Sequence, residues 1–104
     1  MLIGVFSLVG CSSSERDEQL FGRWVFEHGA AIFITFNEDG TGSRNWHGNQ
    51  TFRWSTSGDR LNINLDESPG RGYIRNERWN FTVDGDTLEF DSRQTNDRWT
   101  YVRP

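Results

Sequence analysis

The stretch Arg60-Leu61-Asn62-Ile63-Asn64-Leu65 alternates polar and apolar residues without a break. Successive side chains point to opposite faces in an extended strand, so Leu61, Ile63 and Leu65 share one face and Asn62 and Asn64 take the other. The same period recurs in Gly22–His28, Ala31–Phe36, Thr41–Trp46, Thr51–Ser57, Tyr73–Val83, Thr87–Asp91 and Arg98–Arg103. From Leu20 onward no stretch carries a helical period. Between the runs lie Asn37–Gly40, His47–Asn49, Gly58-Asp59, Asp66–Gly72, Asp84–Asp86 and Ser92–Asp97. Their Gly, Asp and Asn residues supply the positive φ and the local hydrogen bonds that tight turns need. The spacing predicts an all-β chain of about eight short strands.

A weak internal repeat sharpens that expectation. Ile34-x-Phe36-x-x-x-Gly40, Phe52-x-Trp54-x-x-x-Gly58 and Trp79-x-Phe81-x-x-x-Gly85 share one pattern, and the last two continue alike into Leu61-x-Ile63 and Leu88-x-Phe90. Each unit is a hairpin with two inward apolar residues on either side of a tight turn. Unequal spacing between units excludes a solenoid and leaves a meander, which closes into an up-and-down antiparallel barrel and so removes its open edges. At 104 residues the chain has room for one such domain, expected over residues 20–104.

Meander parity orients this barrel. The three Gly turns at Gly40, Gly58 and Gly85 fall at one end, where the chain also enters; the other four connections gather at the opposite end. One end is thus a closed floor and the other a loop-rich rim, where binding residues usually sit. The candidate rim residues are His28, Trp46, His47, Arg71, Tyr73, Arg75, Glu77 and Arg93. On the parity that points Trp24 inward, Tyr73, Arg75 and Glu77 continue the inward line of Trp79 and Phe81, and an Arg75–Glu77 pair is placed to orient a polar ligand. Five Trp, eight Phe and two Tyr crowd a barrel whose strands span only about 20 Å, which favours a packed core over a ligand cavity.

The first residues carry a different signal. Residues 2–9 form an uncharged apolar run too short to cross a bilayer as a helix but suited to a secretory signal. Leu8-Val9-Gly10-Cys11 resembles the bacterial lipobox, in which cleavage occurs before a cysteine that is then acylated. The resemblance implies a signal peptide over residues 1–10, lipidation at Cys11, and a flexible tether over residues 11–19, polar and without periodicity. No Lys or Arg precedes the apolar run, so the signal is expected to be truncated or to begin upstream. Cys11 is the only cysteine, and acylation would keep it from forming stray disulfides in an oxidising compartment.

Gly22-Arg23-Trp24 at the start of the first strand and Arg103 at the end of the last resemble the lipocalin-like, or calycin, barrels. In those barrels the first strand carries Gly-x-Trp and the last brings an Arg across the floor onto that Trp. The resemblance extends to small bacterial lipoproteins with a lipocalin-like domain, and it implies that Gly22, Trp24 and Arg103 are structural.

Composition and motif spacing exclude several chemistries. A net charge of -4 argues against nucleic-acid binding, which needs a basic face. His28 and His47 have no partners at metal-ligand spacing, so no metal is expected. Ser12–Ser14 lack a paired base, and Asp59 and Asp86 occupy equivalent hairpin turns where Asp caps the backbone. The chain is therefore expected to be a non-enzymatic envelope module without a cofactor. It would be held in the outer membrane or at the cell surface by acylated Cys11 and would meet an envelope protein through its rim. The alternative is a carrier of a small apolar ligand inside the barrel.

Overall fold

The computed structural model describes residues 16–45, 48–68 and 70–104. Cys11, the expected signal and most of the expected tether lie outside the described residues, as do Trp46 and His47. The remainder forms β1 (Gly22–Phe26), β2 (Gly29–Phe36), β3 (Thr41–Asn45), β4 (Asn49–Ser57), β5 (Arg60–Leu65), β6 (Asn76–Asp84), β7 (Thr87–Ser92) and β8 (Arg98–Val102). Each strand pairs antiparallel with its neighbour in sequence, and β8 returns to β1 to close the barrel. The expected all-β, eight-stranded, up-and-down antiparallel barrel is therefore present. Its wall faces water: Arg53, Asn64, Arg78 and Asn80 are exposed on the outer face, where a lipid-facing barrel would carry an apolar belt.

Local chemistry explains the hairpins. In the β4–β5 and β6–β7 hairpins Ser57 pairs with Arg60 and Asp84 with Thr87, leaving two-residue loops. Gly58 and Gly85 open those loops with φ of 63° and 62°, the left-handed conformation whose twist matches the flanking strands and which glycine adopts without strain. Gly42 serves a different need. It faces the interior of β3, where an added Cβ would overlap both the Phe52 ring and the Thr35 carbonyl oxygen. Its missing side chain lets that ring lie against the backbone.

The seam between β1 and β8 is short, with Val25 opposite Val102 and Phe26 opposite Tyr101. Side chains reinforce it. Phe26 packs on Trp99 and Tyr101 with ring centroids 5.5 and 5.9 Å apart. Such aromatic pairs contribute about 0.5–1.5 kcal/mol beyond the area they bury.

The floor end is filled. Phe36 makes edge-to-face contacts with Phe52, Trp54 and Phe90, and Trp24, Leu61 and Leu88 are completely buried. Beneath them the chain enters through a 3-10 turn, Glu18–Leu20, capped by the Asp17 carboxylate accepting from the Gln19 backbone N–H. Leu20 from this turn is also completely buried. The turn begins at Glu18, inside the stretch expected to be tether, because Leu20 supplies apolar surface that closes the barrel and its carbonyl accepts the Trp24 indole N–H at 3.0 Å. A second buried indole, Trp54, donates to the carbonyls of Asn37 and Thr41 and so ties the β2–β3 turn to the core.

Candidate functional site

The rim end is open, contrary to the packed core expected from aromatic content. A cavity of about 570 Å³ enters the barrel there, walled by Ile34, Leu65, Trp79, Phe90, Trp99 and Tyr101. The reason lies in the inward positions nearest the rim. Toward the floor β3 to β6 turn Phe52, Trp54, Leu61 and Phe81 inward, but toward the rim they present Arg44, Gln50 and Glu77, which pair with one another inside the barrel in place of apolar side chains that would fill it. The β5–β6 and β7–β8 connections then stand above the strands, and Tyr73, Ile74 and Thr95 extend the cavity walls.

Arg44 and Glu77 form the polar feature of this cavity. The side chains are 12% and 14% exposed, and they meet in a two-pronged ion pair: Arg44 Nη1 donates to Glu77 Oε1 at 2.8 Å and Nη2 to Oε2 at 2.6 Å. Their strands, β3 and β6, are not neighbours, so the pair crosses the barrel interior. Arg44 Nε donates to Gln50 Oε1 at 2.8 Å, and the Trp79 indole N–H donates to Glu77 Oε1 at 3.0 Å. The Tyr101 hydroxyl is close enough for both charges to act on it. Burial pushes its pKa up to about 12, Arg44 opposes the shift and Glu77 adds to it, so the phenol stays protonated at neutral pH.

The expected rim residues separate into three groups. Tyr73 and Glu77 line the cavity. His28 sits at the rim in the β1–β2 turn, its side chain 74% exposed, with Nε2 3.3 Å from Glu27 Oε2 and the ring edge-on to Phe26; it does not line the cavity. Arg71 and Arg93 are exposed on rim connections and stay outside the cavity as well. The expected Arg75–Glu77 pair is corrected. Pairing in β6 begins at Asn76, so Tyr73 and Arg75 leave the inward parity of that strand. Arg75 instead donates from Nε to the Leu65 carbonyl and from Nη2 to the Asp66 carbonyl, both at 2.9 Å, which holds the root of the β5–β6 connection.

Arg44, Gln50 and Tyr101 complete the site, and sequence reasoning assigned none of them to it. A signal was present for two: counting alternate residues back from Phe52 reaches Gln50, and the alternation of Arg98–Arg103 puts Tyr101 on the inward face with Trp99, whereas the inward side of Arg44 comes from the register of β3, which sets it opposite Gln50. At the other end the Arg103 guanidinium lies 4.0 Å from the centroid of the Trp24 ring. It also donates to the carbonyls of Gln19 at 2.7 Å and Phe21 at 3.3 Å, tying the entering turn to the last strand. Gly22 beside it has a φ of 105°.

Among the described residues no group of three or more His, Cys, Asp or Glu is placed to hold a metal ion, and no helix is long and apolar enough to cross a membrane. Compared with known proteins, the chain matches no family model, no curated protein and no solved structure.

Proposed function

We propose that this chain is a lipid-anchored protein of the bacterial envelope whose lipocalin-like barrel binds a small molecule in the rim-end cavity and performs no chemistry on it. The cavity is the observation that carries the reading. Its volume falls within the roughly 300–1,000 Å³ of small-molecule sites, and, as in such sites, apolar and aromatic walls stand beside polar groups held by hydrogen bonds. The Gly22-Arg23-Trp24 and Arg103 resemblance supports the lipocalin-like reading. The Leu8–Cys11 resemblance supports the anchor, in the outer membrane or at the cell surface, with the rim facing away from the lipid.

Protein purified under native conditions is expected to carry a non-covalent small-molecule adduct in native mass spectrometry, or to gain thermal stability on adding uncharged apolar compounds, since a ligand that binds only the folded state stabilises it. A bare protein that also shows no shift with any of them overturns the binding reading. The anchor is tested separately. Cells fed an alkyne fatty acid should label the chain, and Cys11→Ser should abolish the label; label-free wild-type protein removes the anchor from the proposal.

A second reading, contact with an envelope protein through the rim, is favoured by one observation. Tyr73 and Ile74 are 63% and 40% exposed on the β5–β6 connection, and large apolar side chains at a rim are suited to a protein partner.

A further inference from the structure

Most polar groups of the cavity are spent on one another, and those left over around the Arg44–Glu77 pair share one chemistry. Arg44 uses three of its five N–H donors, on Gln50 and on both Glu77 oxygens, which leaves one N–H on each terminal nitrogen. Because Nε only donates, Gln50 must turn its oxygen toward Arg44. Its NH2 group then has no hydrogen-bond partner among the described residues, on a side chain that lines the cavity. Tyr101 is 7% exposed and also lines the cavity, and its hydroxyl makes no hydrogen bond to another described residue. Buried polar groups are normally paired. Glu77, by contrast, is occupied: Oε1 accepts from Arg44 and Trp79 and Oε2 from Arg44. What the cavity offers a ligand around the Arg44–Glu77 pair is therefore a set of donors; on the β7–β8 side of the wall Ser92 Oγ already accepts from the Gln94 and Thr95 backbone N–H groups, Gln94 Oε1 from the Arg78 N–H and Asp97 Oδ2 from the Thr95 hydroxyl.

Charge narrows the class further. Arg44 and Glu77 neutralise each other at hydrogen-bond distance, so an anion drawn to the open edge of Arg44 is opposed by the adjacent carboxylate, and Asp97 adds a second carboxylate to the lining. It would also lose hydration on entering a site that cannot repay it with net charge. A neutral acceptor escapes both costs. Around these donors Trp79, Phe90 and Trp99 provide an apolar, aromatic wall for the rest of the molecule.

Building on the small-molecule reading, we infer that the cavity selects uncharged, predominantly apolar compounds bearing a carbonyl oxygen, as ketones, esters, lactones or amides do. That oxygen seats against the Tyr101 hydroxyl, the Gln50 NH2 and the open edge of Arg44. The hydrogen bonds orient the ligand, and the aromatic wall holds its body.

Three probes on one ring system test this: 2-acetylnaphthalene, 2-ethylnaphthalene and 2-naphthoate, titrated into the full chain and followed by ligand-observed NMR. The ketone is expected to bind about tenfold more tightly than either analogue, the gain from one or two net hydrogen bonds. Tyr101→Phe, which keeps the ring and its packing, should cut the advantage of the ketone about fivefold and leave 2-ethylnaphthalene unchanged. Equal binding of ketone and alkyl probes, or tighter binding of the carboxylate, overturns the carbonyl inference while the cavity reading stands. Binding of none of the three overturns both. The comparison on the unmodified chain decides the matter even where the variant does not fold.

Discussion

Trp24→Ala is expected to destabilise the barrel by about 3–5 kcal/mol, the usual cost of truncating a fully buried Trp. Three interactions fail together. The indole is completely buried, so its loss opens a cavity at the filled floor of the barrel. Its N–H satisfies the Leu20 carbonyl, and its face carries the Arg103 guanidinium at 4.0 Å, a cation–π contact worth about 0.5–2 kcal/mol depending on exposure. Because Arg103 also holds the carbonyls of Gln19 and Phe21, freeing it loosens the 3-10 turn that seals the floor. Small domains begin near the lower end of the ~5–15 kcal/mol range of folding stability, so this substitution takes most of it. Urea unfolding followed by circular dichroism measures the effect. A loss below ~1 kcal/mol would show that Trp24 does not hold the floor together.

Glu77→Ala is expected to cost about 3 kcal/mol. That is the low end of the range for breaking a buried ion pair, because the cavity admits water to the abandoned Arg44 guanidinium. The substitution also strips the acceptor from the buried Trp79 indole N–H, which adds an unpaired donor. Replacing both charges, as Arg44→Leu with Glu77→Leu, is expected to recover most of the loss, since two apolar side chains across the same gap leave no charge stranded. Urea unfolding of the two variants separates the cases. If the double variant is as unstable as Glu77→Ala, the pair itself stabilises the barrel, and the loss is not that of a stranded charge.

Legibility differed between the two ends of the molecule, and particular residues show why. At the floor, Phe52, Trp54, Leu61, Ile63, Phe81, Leu88 and Phe90 alternate with polar neighbours beside Gly turns, so a local two-residue period was enough to place them inside. At the rim the period that placed Glu77 inward has its counterpart in Gln50 and Arg44, but their polar character hides it, since an inward charge reads as an outward one until its partner is known. Arg75 misled for the opposite reason. It stands two residues before Glu77, yet the chain leaves the strand before reaching it, and two backbone carbonyls near the end of β5 claim its guanidinium. The aromatic count misled as well, because a total volume does not say along which length of the barrel it is spent.

The strand period, the turn residues and the parity of floor and rim follow from the sequence by itself, since each depends on interactions within a few residues of chain. The closed register of β1 with β8, the Arg44–Glu77 bond between strands that are not neighbours, and the cavity beside it belong to the tertiary structure alone. They join residues far apart in the chain, Arg44 to Glu77 and Gln19 to Arg103, and which side chains meet across a barrel is set by the stagger of all eight strands at once.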